Sequence, residues 1–79
     1  MKVRLDGARR ITISGEFIRL DSLLKYASIA STGGEAKALI QNGKALVCGV
    51  PCISRGRKIR PGEVVRCGSE TLLVRQANR

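Results

Sequence analysis

The 79-residue sequence predicts an α+β fold in which two short packed helices lie against a small, mainly antiparallel sheet, in the order β-α-α-β-β-β-β. Three observations predict it. Apolar residues recur at helical spacing between Leu20 and Ile40, whereas from Lys44 onward short apolar runs are punctuated by Gly and Pro as strands are. Neither helical stretch is long enough to be stable alone, so the two must pack on each other or on a sheet.

The first strand is read from the alternation Ile11-Thr12-Ile13, closed by a turn at Ser14-Gly15. Leu20, Leu23, Leu24 and Ala27 then fall at i, i+3, i+4 and i+7, one stripe of a helix over about residues 20–28. Asp21 lies in its first turn, where the helix dipole favours a carboxylate. Thr32-Gly33-Gly34-Glu35 fits a capping box, with Thr32 as N-cap, and Ala36, Leu39 and Ile40 repeat the apolar stripe. Gly43 is a natural stop, so the second helix covers about residues 33–42.

Ala45-Leu46-Val47-Cys48 and the run over residues 50–53 read as a hairpin about Gly49. Arg60-Pro61-Gly62-Glu63 has Pro and Gly where a type II turn places them. Val64-Val65-Arg66 and Thr71-Leu72-Leu73-Val74 complete the sheet across a turn at Gly68-Ser69. A single domain is expected over residues 8–75, with 1–7 and 76–79 as frayed tails.

Composition narrows the function. A chain of 8.5 kDa holds one thin core, which excludes a two-domain enzyme. The absence of histidine removes the commonest general base and the nucleophilic triads built on it, so no enzyme is expected. Cys48, Cys52 and Cys67 form an odd set without CxxC spacing, which argues against a zinc ribbon, a disulfide framework or any metal cofactor and for a reduced, cytoplasmic chain. No apolar stretch reaches the roughly 20 residues that cross a bilayer, and no membrane partner is expected.

Fifteen Lys and Arg against six Asp and Glu give a net charge of +9, so the partner should be anionic. The excess is grouped. Residues 1–15 carry +3, 16–44 carry +1 and 45–79 carry +5, with Arg55, Arg57, Lys58 and Arg60 placing four cations in six residues without one acid. Arg outnumbers Lys ten to five, and Arg is the better bidentate partner for phosphate.

The string RLDSLLKYASIASTGGEAKALIQNGKALVCG, residues 19–49, resembles the RNA-binding domain of ribosomal protein S-four. The shared pattern is R-L-D-x-x-L, a small-residue cap with E-A, then L-I-x-x-G-x-x-x-V-x-G, and K-I-R-P-G-E-V-V at residues 58–65 is similar to that family's closing turn and strand. The likeness covers about residues 16–66 and is greatest to a small, stand-alone bacterial subgroup. It implies the helix-pair architecture of that family, the alpha-L motif, and binding of structured RNA, ribosomal or transfer, with the ribosome itself as a further partner.

The residues offer a site for that chemistry. The start of the second helix presents free N–H groups, with Thr32 as cap and Gly33 and Gly34 leaving room for a phosphate. Lys37 and Gln41 lie one turn apart on its polar face, and Arg19, Lys25 and Lys44 flank the helix pair. Arg55, Arg57, Lys58 and Arg60 complete the candidate set. On the residues alone, Gly33 and Gly34 also read as a plain turn, and Lys37 and Gln41 as a solvated face. Phe17 and Tyr26 read as core or edge residues, which leaves no aromatic platform for single-stranded bases.

Two departures from the family pattern stand out. Many members carry Arg or Ser at the positions of Gly33 and Gly34, and many carry Asn where this chain has Cys48. A type I′ turn at Cys48-Gly49 would ask Cys48 for a positive φ, so the turn type is open. Two other partners fit the charge: a protein on the ribosome or on an enzyme, with charge used for steering, and DNA. The oligomeric state is open, with a monomer favoured.

Overall fold

A computed structural model describes residues 8–77. The order of elements is β1 (Arg9–Ile13), β2 (Ile18–Arg19), α1 (Leu20–Tyr26), α2 (Gly33–Gln41), β3 (Ala45–Val47), β4 (Val50–Pro51), β5 (Lys58–Ile59), β6 (Val64–Cys67) and β7 (Glu70–Gln76). Five strands form one sheet in the order β1-β7-β6-β3-β4, antiparallel except for the parallel pair β1 and β7. The α+β architecture is therefore the one expected, with an addition. A second, two-stranded sheet pairs β2 with β5, neither of which the sequence pattern reveals.

The helical stripe holds: Leu20, Leu23, Leu24 and Ala27 of the α1 segment are buried against Ala36 and Ile40 of α2 and against Ile11, Val47, Val65, Leu72 and Val74 of the sheet. No polar side chain is buried among the described residues. This aliphatic core is what fixes α1 and α2 side by side, since seven and nine residues would not stay helical in water.

The first helix is shorter than the predicted 20–28. It ends at Tyr26 because Ser28 takes a φ of 63°, and its N–H turns back to the Lys25 carbonyl at 3.0 Å. Arg9 finishes that end from the neighbouring strand: its guanidinium donates to the Ala27 carbonyl at 2.7 Å.

Glycine at positive φ shapes two of the expected turns. Cys48 and Gly49 lie at φ 52° and 85° between paired Val47 and Val50, which is a type I′ hairpin despite the cysteine. Gly62 lies at φ 97° and the Glu63 N–H reaches the Arg60 carbonyl at 3.1 Å, as a type II turn requires. At the C-terminal side, residue 76 belongs to β7, paired with Ile13, and the Ala77 N–H donates to the Ile13 carbonyl at 2.8 Å. The expectation for residues 1–7, 78 and 79 lies outside the described residues.

Candidate nucleic-acid interface

The basic segment 55–60 is stitched to the start of α1. The first amides of a helix lack internal acceptors, and here the Leu20 N–H donates to the Arg57 carbonyl at 2.9 Å and the Asp21 N–H to the Arg55 carbonyl at 3.1 Å. The β2–β5 ladder, Ile18 opposite Ile59 and Arg19 opposite Lys58, clamps the same segment from the side, and Ile59 is fully buried beneath it. Four cations that the sequence places on a loop are thus held on a fixed backbone.

Their roles differ. Arg57 is half-buried, and its guanidinium lies 2.9 Å from a Glu63 carboxylate oxygen. The other Glu63 oxygen accepts the Arg60 N–H at 2.8 Å. The segment is therefore less purely basic than its six residues read, since Glu63 closes on it from the adjoining turn. Lys58 is exposed, with Nζ 4.9 Å from the centre of the Phe17 ring, a cation–π contact. Arg55 and Arg60 are exposed and make no ion pair among the described residues. Arg19 joins this group from β2, its guanidinium 3.1 Å from the Asp21 carboxylate.

At the start of α2, the Thr32 hydroxyl accepts the Glu35 N–H at 3.1 Å, and the Glu35 carboxylate accepts the Ser31 N–H. This is the capping box with its return bond shifted one residue outward. Gly33 and Gly34 are exposed. A Cβ on Gly33 would meet nothing within 4 Å, and one on Gly34 only the Thr32 hydroxyl at 3.9 Å. Packing does not require glycine there; what the pair does is leave the helix start bare. The Glu35 carboxylate lies at that same end and opposes an incoming anion.

Lys37 and Gln41 are exposed on α2, Lys44 is exposed just beyond it, and Lys25 is exposed in the last turn of α1. Ten of the twelve candidate residues thus form two groups, with Lys25 in the last turn of α1 and Lys44 beyond α2 outside both. Arg19, Arg55, Arg57, Lys58 and Arg60 gather around the start of α1, while Thr32, Gly33, Gly34, Lys37 and Gln41 belong to α2. No hydrogen bond or ion pair among the described residues joins the groups; the packing of α1 on α2 does.

Of the two readings of the aromatics, core or edge, the structure removes the core. Phe17 and Tyr26 are 39% and 63% exposed, and both line one open cleft with Thr12, Ser14, Gly15 and Ile18. A signal was present: Tyr26 falls outside the Leu20, Leu23, Leu24 and Ala27 stripe, and so on the outer face of α1.

The three cysteines are free, Cys48 exposed and Cys67 buried. Burial pushes the Cys67 thiol above its usual range, an effect the Lys44 ammonium partly offsets. Among the described residues no three His, Cys, Asp or Glu side chains stand together as metal ligands, and no helix is long and apolar enough to cross a membrane.

Residues 11–75 match the family pattern described as the S4 domain. Over 58 residues the chain is also 40% identical to the "Probable ribosome maturation protein RlbA" of Bacillus subtilis (strain 168), which spans 73% of this chain and 82% of that relative. The match reaches from β1 into β7 and takes in both groups of candidate residues, so the chain belongs to the S4 domain family.

Proposed function

We propose that this protein is a non-enzymatic, cytoplasmic binder of structured RNA, ribosomal or transfer, that engages phosphates and helix shape. The observation that carries the reading is the immobilised basic segment: Arg55, Lys58 and Arg60 project from a backbone fastened to the first turn of α1, with Arg19 beside them. A fastened backbone spares the segment the cost of ordering its main chain when its cations meet phosphates, which favours an ordered polyanion. The relative named for ribosome maturation supports ribosomal RNA as the class.

Titration of the protein with a structured RNA over a salt series tests it. If about five phosphates are neutralised, log affinity falls with log salt at a slope of roughly −3.5 to −4.5. A flat response rejects the proposal. Competition between duplex RNA and duplex DNA of equal charge ranks the two polyanions.

A second reading has its own observation. Val50 and Ile53, at and just beyond β4, are 64% and 69% exposed, an apolar spot suited to docking on a protein. Combined Arg55→Glu and Arg60→Glu substitution abolishes RNA binding on the first reading and spares docking through Val50 and Ile53 on the second.

A further inference from the structure

We propose that the cleft between the end of β1 and the end of α1 receives one unpaired base of the bound RNA, with Tyr26 as its stacking platform. The inference rests on the RNA-binding reading above and adds to it a class of RNA: a helix interrupted or flanked by an unpaired nucleotide.

The chain has one Phe, one Tyr and no Trp, and its core is aliphatic. Both aromatics are nonetheless exposed, on the same open cleft of about 340 Å³. The Thr12 and Ser14 hydroxyls line it too and can donate to or accept from the edge of a base. Phe17 carries the Lys58 ammonium 4.9 Å from its ring centre, and Lys58 belongs to the basic segment. The cleft therefore adjoins the cationic surface, and its occupant should have a flat apolar face, a polar edge and an anionic tail. A nucleotide has all three. A base inside a duplex keeps its faces stacked on its neighbours, so the occupant is an unpaired one.

The single tyrosine supplies the readout, because no tryptophan masks its emission. The intact chain is titrated with two RNA hairpins of identical stem, one fully paired in the stem and one carrying a single-nucleotide bulge. The bulged RNA is expected to quench the Tyr26 emission and to bind more tightly by roughly five- to a hundred-fold, the usual range for stacking one base on an aromatic ring. Tyr26→Leu should remove that advantage and leave the paired hairpin's affinity unchanged, while Tyr26→Phe should keep it. Because Tyr26 is exposed, neither change removes a core contact.

Equal affinities for the two hairpins with unchanged emission overturn the inference while leaving the RNA-binding reading intact. So does equal weakening of both by Tyr26→Leu. Binding of neither hairpin overturns the reading beneath it as well. If Tyr26→Leu alters neither RNA affinity but weakens association with ribosomal protein, the cleft belongs to a protein.

Discussion

Glu63 fastens the basic segment at two points: its carboxylate sits 2.9 Å from the Arg57 guanidinium through one oxygen and accepts the Arg60 N–H at 2.8 Å through the other. One acid thus holds the Arg57 side chain and the Arg60 backbone in place. Arg57→Ala is expected to lower stability by about 1 kcal/mol, the scale of a partly exposed ion pair. Arg55→Ala and Arg60→Ala should each leave the thermal midpoint in place and reduce the salt slope of RNA binding by about 1. Thermal melts beside salt titrations of the three variants check the division; an unchanged slope for both Arg55→Ala and Arg60→Ala refutes it.

Gly33 and Gly34 open the second helix without positive φ and without a crowding neighbour. Alanine at either position should therefore stabilise the protein by about 0.5–1 kcal/mol, through a less flexible unfolded chain. If a phosphate approaches that bare helix start, the same substitutions weaken RNA binding several-fold. Stability and affinity would then move in opposite directions. Unchanged affinity would leave the glycines no part in RNA binding.

Cys48 pays a conformational penalty in the left-handed region, at φ 52°. Asparagine visits that region with less strain. Cys48→Asn should raise stability by about 0.5–1 kcal/mol, a shift of a few degrees in the melting temperature for a domain of this size. Cys48→Val, with its branched Cβ, should lower it. A melting curve for each variant decides.

Cys67 gives an alkaline signature. Its folded thiol binds its proton more tightly than the usual pKa of 9.0 implies, chiefly through burial. Above that value the unfolded chain holds fewer protons, so the contribution to stability is complete below about pH 9.0 and is lost as pH rises through the folded pKa. Urea midpoints measured up the alkaline limb should fall less steeply in Cys67→Ala than in the wild type. With a maleimide reagent at neutral pH, exposed Cys48 should label first and Cys67 only as the protein unfolds.

The helix pair was legible because Leu20, Leu23, Leu24, Ala36 and Ile40 each obey a local period and Thr32 and Glu35 a local cap. β2 and β5 were not, since two residues cannot display an alternation and their pairing joins Ile18 to Ile59 across about half of the chain. The candidate cations were found by counting charge, but counting could not tell that Arg57 faces Glu63. That contact depends on how the turn at Pro61-Gly62 folds back. Arg9 escaped for the same reason: its partner, the Ala27 carbonyl, is a neighbour only in three dimensions. Tyr26 breaks the stripe, a signal that its reading as a core or edge residue does not use, and only the folded chain brings it to the cleft that Phe17 lines.

The parallel pairing of β1 with β7 has a consequence for synthesis. Ile11 and Ile13 lie beside Val74 and Gln76, so a nascent chain lacks a neighbour for its first strand until the segment through residue 76 has been translated. Long-range closure of this kind delays folding relative to local helix formation. On the translating ribosome, the early apolar strand therefore waits for the late one.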